Sequence, residues 1–377
     1  MEILIDASSL MKELTGVGTY LYNLLEKMIT IDTSVRYTIF LNALKGQTPH
    51  FPWENANNVK IVRRRIPGKM LLEWWRRGLS PSVETLAGCK PDIFHSPNFF
   101  YQKSFAPRIA TTLHDLAFFK RENYGGRYSG RFHREMILRN IKKIDHYIVP
   151  SEVVKQDLMV LLKIPEKSIS VIRHGINPVF SIREHTIDNE KISHNLLFPN
   201  RYVLTVGTIE PRKNMPLLIR AFRKTASLYP DIHLVIVGKP AEGMDELLEA
   251  IDSANLSDRT HLLGYIPLEI LVDLYRRAIL AVFPSWDEGF GFPPLEALAC
   301  GVPVLVSDIP VHREILGEAA AYFEPDNLRD LEDMLISALE KPESFIMKKT
   351  EAQRQTRLYS WDQAAAQHLE VYRKVIG

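Results

Sequence analysis

Two carboxylates, Glu288 and Glu296, bracket the segment EGFGFPPLE, whose spacer is made of two glycines, two phenylalanines and two prolines. Such a spacer lets the backbone come close to a ligand while the prolines fix its path. Acids held at that separation can bind hydroxyls at two ends of an extended polyol, and need not form an acid/base pair of the glycosidase kind. A second cluster lies in VGTIEPRKNMPLLI, where Arg212 and Lys213 stand between a strand ending at Gly207 and a helix starting near Asn214 or Met215. Two cations beside a helix N-terminus are suited to neutralising a pyrophosphate, Arg through its planar fork and Lys as a point charge. Taken alone, solvated loop charges are the plainer reading of that turn.

Three weaker signals come from the first half. In TTLHDLAFF, His114 and Asp115 follow a strand-like run, a place where histidine is a structural hydrogen-bonder more often than a catalyst. In VIRHGINPVF, His174 and Gly175 form a turn after a strand, on the side of an expected cleft. Gly16 and Gly18 precede an amphipathic segment, where glycine amides can approach a phosphate at a helix start, or simply make a flexible turn. Leu21 stands where a third glycine would complete G-x-G-x-x-G, which counts against a dehydrogenase.

These residues need elements to hold them, and the periodicity supplies α/β architecture. Short apolar runs (MEILIDA, YTIFL, DIFHS, HYIVP, SISVIRHG, YVLTVG, HLVIVG, LAVFPS, VPVLVS) alternate with amphipathic stretches such as MPLLIRAFRKTASLY and DLEDMLISALE. That alternation predicts parallel sheets with helices on both faces, and ligands at the carboxyl ends of the strands. The cycle restarts near residue 200, after SIREHTIDNEKISHN, which reads as a linker. The pattern predicts two Rossmann-like domains, 1–180 and 195–359. Pro294 suits the first turn of a helix stopped by Gly301, and Ser151 and Ser360 suit helix N-caps. The helix after Ser360, residues 360–377, is long enough to cross back to the first domain.

Composition bounds the function class. The chain has 377 residues, too many for one ordinary core, with 46% hydrophobic and 24% charged residues. No basic start followed by an apolar run occurs, and no uncharged stretch is long enough to span a bilayer. Cys89 and Cys300 stand alone, outside any zinc-site spacing, so a cytoplasmic, disulfide-free, metal-free scaffold is expected. The net charge of +2 hides an asymmetry: residues 1–180 carry 26 Lys and Arg against 16 Asp and Glu, the remainder 21 against 29. Within the basic half, Arg63, Arg64, Arg65, Lys69, Arg76 and Arg77 surround the tryptophans of KMLLEWWRRGL. A solvated face is the bland reading; docking on an anionic membrane surface is its competitor. Nucleic acid is not expected, since no recognition helix or base-stacking motif accompanies the charge.

The set TGVG, LHD, PSE, HGI, GTIEPRKN and EGFGFPPLEALACGVPVLVSD, in this order over nearly the whole chain, resembles glycosyltransferase family 4, the group 1 enzymes. These retaining nucleotide-sugar glycosyltransferases of GT-B fold include bacterial mannosyltransferases. The resemblance implies two Rossmann-like domains facing each other across a cleft, the first for the acceptor and the second for the donor. It implies Glu296 on the nucleotide ribose, Glu288 on hydroxyls of the transferred sugar, and Arg212 and Lys213 on the diphosphate. Amides of Gly289, Phe290, Gly291 and Phe292 would line the sugar and phosphate, with Gly207 at the turn before the cations. Gly16 and Gly18 would face the distal phosphate from the other domain, and His114 the donor sugar, with Asp115 orienting its loop and His174 as a further cleft residue.

By the same resemblance the reaction retains anomeric configuration, the leaving diphosphate being stabilised by cations and amides and assisting deprotonation of the acceptor. No D-x-D occurs, so neither cofactor nor obligatory divalent metal is expected. GDP-mannose is the favoured donor, ahead of UDP-sugars and dTDP-rhamnose, and the acceptor is a glycan or lipid-linked saccharide. A nucleotide-sugar 2-epimerase, a phosphorylase and a non-catalytic nucleotide- or carbohydrate-binding protein are the alternatives.

Overall fold

The computed structural model of the chain describes residues 1–377 apart from 12, 13, 15, 45–49, 80, 122, 123, 125–128, 182–198, 342–344 and 346–348. The segment read as a linker falls almost entirely outside the described residues. The chain divides into two compact units, Met1–Gly175 with Tyr359–Gly377, and Ile176–Leu358. Residues 176–180 side with the second unit because Phe180 packs edge-on against Tyr275, and Arg276 donates to the carbonyls of Val179 and Ser181. No described helix is long and apolar enough to cross a membrane.

The second unit is a six-stranded parallel sheet of β8 (Tyr202–Val206), β9 (His233–Val237), β10 (Thr260–Gly264), β11 (Leu280–Phe283), β12 (Val304–Ser307) and β13 (Ala321–Phe323), in the order β10-β9-β8-β11-β12-β13. Its central strands are buried throughout, which is why they read as unbroken apolar runs. The helix Met215–Leu228 packs its buried face, including Leu218, Phe222 and Ala226, into a core shared with Leu331 and Leu335 of the helix Leu328–Glu340. The order reverses between β8 and β11. Loops leaving those two neighbours diverge to opposite sides and open a crevice at their carboxyl ends.

The first unit repeats the plan with seven parallel strands: β1 (Glu2–Asp6), β2 (Arg36–Asn42), β3 (Val59–Arg64), β4 (Ile93–Ser96), β5 (Ile109–Thr112), β6 (His146–Val149) and β7 (Ile169–Val171), in the order β3-β2-β1-β4-β5-β6-β7. The two-fold α/β plan agrees with the sequence pattern. Ser151 and Ser360 cap their helices as expected, accepting from the Val154 and Gln363 amides. The C-terminal helix Trp361–Ile376 lies against the helix Gly16–Ile31 within this unit.

A buried polar chain fastens that helix to the sheet. His368 Nδ1 faces the Ala364 carbonyl at 2.7 Å and must donate, so its Nε2 accepts from the Tyr20 hydroxyl at 2.9 Å. Tyr20 in turn accepts from Thr112 at 2.8 Å, Thr112 accepts from His95 Nε2 at 2.9 Å, and His95 Nδ1 accepts from the Tyr372 hydroxyl at 2.6 Å. Each proton has one consistent direction, and the histidines are neutral: burial holds His95 well below the usual imidazole value and brings His368 to about 4.

Candidate active site

In the second unit, the loops after β8 and β11 bring the cations and the first acid of the motif together. Pro211–Lys213 forms a single 3-10 turn that ends at Asn214, held in the left-handed region at φ 50°. Trp286 N donates to the Arg212 carbonyl at 2.9 Å, and Arg212 Nη1 donates to the Asp287 carbonyl at 3.1 Å, so the two loops brace each other. Lys213 Nζ meets Glu288 Oε1 at 2.5 Å and Arg212 Nη1 meets Glu288 Oε2 at 3.0 Å. Ser285 also donates to Glu288 Oε1 at 2.8 Å, and Glu210 takes the other Arg212 nitrogen at 2.8 Å. Gly207 lies against the lysine at φ 153°, a backbone conformation that side chains rarely adopt, while a Cβ there would make only ordinary contact, 3.6 Å from Lys213 Cε.

The plainer reading of this turn as solvated loop charges does not describe the arrangement. The Lys213 and Arg212 side chains are only 12% and 16% exposed, and both are folded onto a carboxylate that is itself buried. Two positive and two negative groups cancel on the page of formal charge, so the cluster presents directed N–H groups rather than bare charge. Burial alone would push the Glu288 carboxyl up; the Lys213 ammonium and Arg212 guanidinium outweigh it and hold Glu288 well below the usual carboxylate range.

Beyond Glu288 the chain turns into the helix Phe292–Ala299. Gly291 caps it at φ 86°, a conformation that disfavours any side chain, and Pro293 and Pro294 occupy first-turn positions that need no amide donor. Phe290 is buried against Phe292, with ring centroids 5.1 Å apart, so this residue can offer a ligand only its backbone. Glu296 lies one turn in, as the spacing predicts, and the helix stops before Gly301 at φ 81°. It is not part of the Glu288 cluster. Its partner is the Tyr275 hydroxyl, 3.4 Å away, which also donates to the Pro293 carbonyl at 3.1 Å. With no cation beside it, burial pushes the Glu296 carboxyl up to about 7.

Four site residues had no signal strong enough to single them out in the sequence. Ser285, Ser307, His312 and Tyr275 are ordinary residue types in apolar surroundings: β11 and β12 with the loops after them make the first three neighbours, and the helix Leu268–Arg277 brings Tyr275 to Glu296. Ser307 Oγ donates to the Ser285 carbonyl at 2.5 Å, and His312 Nδ1 faces the Ser307 carbonyl at 2.9 Å.

In the first unit, Gly16 and Gly18 occupy the first turn of the helix Gly16–Ile31 rather than the loop before it. Gly16 is open, whereas a Cβ on Gly18 would stand 3.0 Å from Leu14 Cδ2. The amides of that turn are among those a helix leaves without internal partners. His114 is engaged at both nitrogens: Nε2 donates to the Pro97 carbonyl at 2.9 Å, and Nδ1 accepts from His174 Nε2 at 3.2 Å. His174 is therefore a buried support for His114, stacked on Trp361 with centroids 5.9 Å apart, and not a group on an exposed turn. Asp115 accepts from the Ala117 amide at 3.2 Å and so shapes the loop that carries His114.

Comparison with known proteins follows the two units. The model for Glycosyltransferase Family 4 matches residues 14–180, and that for Glycosyl transferases group 1 matches residues 187–356. The O-antigen chain mannosyltransferase B of Escherichia coli is 25% identical over 99% of this chain and 100% of its own length. The O-antigen chain mannosyltransferase RfbU of Salmonella typhimurium is 29% identical over 62% of each chain. The sucrose-phosphate synthase structure from Thermosynechococcus elongatus superposes with a TM-score of 0.77 at 18% identity, covering 99% of this chain and 98% of that one, so the two share a fold.

Proposed function

The chain belongs to the glycosyltransferases that join a family 4 domain to a group 1 domain, and from that premise we propose that it transfers mannose from GDP-mannose, with retention, to a glycan or lipid-linked saccharide acceptor. The observation that carries the reading is the brace of Arg212, Lys213 and Glu288 beside the start of the helix Phe292–Ala299. End-to-end similarity to an O-antigen mannosyltransferase supports the choice of sugar and of a polysaccharide product.

In this reading the nucleotide ribose lies on Glu296, and the diphosphate lies between the Arg212 and Lys213 nitrogens and the amides of Gly289–Phe292. Breaking the anomeric C–O bond delivers negative charge to the diphosphate. Prearranged N–H donors and a helix N-terminus stabilise that charge without reorganising, the kind of effect in which one donor contributes about 10²–10³ in rate. Glu288 fixes both cations and faces hydroxyls of the hexose. In the first unit, the amides of Gly16 and Gly18 stand in the first turn of their helix, a place suited to a phosphate. A neutral His114, held by His174 and by the Asp115 loop, is the polar group of the first unit suited to a sugar hydroxyl. The reading takes the transfer to need neither cofactor nor divalent metal, since the cations replace a D-x-D site that the sequence lacks.

The basic half supplies a surface for a membrane-borne acceptor at the cytoplasmic face. On the helix Gly68–Arg77, Met70 and Trp74 are exposed one turn apart, beside exposed Leu79 and Phe105. Lys103 ties these together, donating to the Gly78 carbonyl at 3.1 Å and standing 5.6 Å above the Phe105 ring. Apolar tips among Arg63, Arg64, Arg65, Lys69 and Arg77 fit an anionic lipid interface. Sedimentation with vesicles containing anionic lipid should be lost in Trp74→Ser and at high salt; binding indifferent to both would refute the surface.

Calorimetry with GDP, UDP, dTDP and ADP in the presence of EDTA tests the donor site. Selective binding of GDP, lost in Glu296→Ala, is expected. Binding that requires added Mg²⁺, or preference for another nucleotide, would overturn the metal-free or the GDP part of the reading respectively.

A further inference from the structure

We propose that His312 is a specificity-determining contact for the transferred hexose, its Nε2 accepting a hydrogen bond from a sugar hydroxyl. The proposal rests on the donor-site reading above and adds to it a residue from a different strand loop. His312 begins no motif in the sequence; it follows β12 in the helix Pro310–Leu316 and is fully buried.

Its protonation is settled by its partners. Nδ1 faces the Ser307 carbonyl at 2.9 Å and must donate, which leaves Nε2 as an acceptor. Among the described residues Nε2 has no hydrogen-bond partner. A buried acceptor left without a donor is destabilising and rare enough in folded proteins to need a reason. Burial lowers the basicity of the ring and outweighs the nearby Glu288 carboxylate, which acts the other way.

The ring edge carrying that nitrogen lies against the turn that the donor-site reading gives to sugar and phosphate. Cδ2, bonded to Nε2, lies 3.8 Å from where a Cβ of Gly291 would stand, and Gly291 is the cap of the helix Phe292–Ala299. The other side of the ring is braced to the acid cluster: Ser307 donates to the Ser285 carbonyl at 2.5 Å, and Ser285 donates to Glu288 Oε1 at 2.8 Å. A hydroxyl bound against the capping turn next to Glu288 would meet an acceptor already oriented and already desolvated, at no cost in side-chain ordering. A diphosphate oxygen could not serve, because it too accepts. The site therefore discriminates in favour of a ligand that carries a hydroxyl donor, the sugar, over the nucleotide alone.

The test compares GDP-mannose with GDP on wild type, His312→Asn and His312→Gln by calorimetry, with melting curves as a folding control. Asn can keep the bond to Ser307 but falls short of the Nε2 position, whereas Gln can reach it. His312→Asn is expected to weaken GDP-mannose about five- to tenfold while changing GDP less than about twofold, with His312→Gln recovering part of the loss. Equal loss for both ligands, or no loss for either, would overturn the proposal while leaving the donor site in place. Failure of the wild type to bind any nucleotide sugar would overturn the donor-site reading and this contact with it.

Discussion

At the scale of single residues, the two acids of the E-x7-E segment have opposite electrostatic lives. Glu288 is ionised by its cations, so its folded pKa lies below the unfolded 4.5. Its contribution to stability is present above that value and is lost as pH falls further. Glu296 has no cation and is raised to about 7 from 4.5, so its contribution has the reverse sign, present at low pH and lost as pH rises through 7. Nucleotide affinity should accordingly increase as pH rises through about 7, where the ionised carboxylate accepts ribose hydroxyls in charge-assisted bonds. Because the nucleotide's own titration is common to both proteins, the difference between wild type and Glu296→Gln isolates this step; identical pH profiles would exclude it. Glu288→Gln leaves Lys213 largely buried without its carboxylate, and Arg212 with Glu210 alone, and should cost about 3 kcal/mol in chemical denaturation. Lys213→Ala leaves Arg212 on Glu288, so turnover should drop about 100-fold with a smaller loss of stability.

At the scale of elements, close approach decides as much as periodicity. A Cβ on Gly175 would lie 2.3 Å from the Trp361 backbone nitrogen, at the point where the C-terminal helix begins its packing against the first unit. Backbone on both sides leaves nothing to rotate away. Gly175→Ala should therefore lower stability by about 3 kcal/mol or more, read as a fall in the melting temperature, and a variant that melts like wild type would show that the helix can shift. The strands that went unread in the sequence, β3, β10 and β13, are all sheet edges in the observed order. Edge strands have one side in solvent, so VKIVRR and THLLG mix polar and apolar residues and lack the continuous run that marks a central strand. Helix boundaries set by prolines and glycines, at Pro293–Pro294 and Gly301, were legible because those residues act locally.

At the scale of the whole molecule, the two units should respond differently to acid. The first holds His95, His114, His174 and His368 buried and neutral, each with a lowered pKa, that of His368 near 4. An unfolded chain binds those protons near pH 6.5, so stability of this unit is full above that value and falls as pH drops from about 6.5 toward 4. The second unit holds one such buried histidine among the described residues, His312, against those four in the first, and its Glu288 cluster begins to lose its contribution only below 4.5. Scanning calorimetry across pH 7 to 4 should show the transition of the first unit moving down first. Replacing His368 with Gln should flatten part of that slope, and a single transition that shifts with unchanged slope in the variant would refute the assignment.

The sequence by itself determined the α/β plan, the two-fold repeat of sheet and helix, the helix start that separates Glu288 from Glu296, and the residue types of the donor loops. All of these depend on neighbours within a turn or a strand, where propensity, capping and alternation act. Tertiary structure alone decided that Arg212 and Lys213 fold onto Glu288, that His114 leans on His174, that Tyr275 holds Glu296, and that His312 keeps an unmatched acceptor beneath the Gly291 turn. Those pairings join residues on different strands. Which loops meet is set by the strand order at β8 and β11, and by burial that favours pairing of charges and donors, neither of which is written in any local stretch of chain.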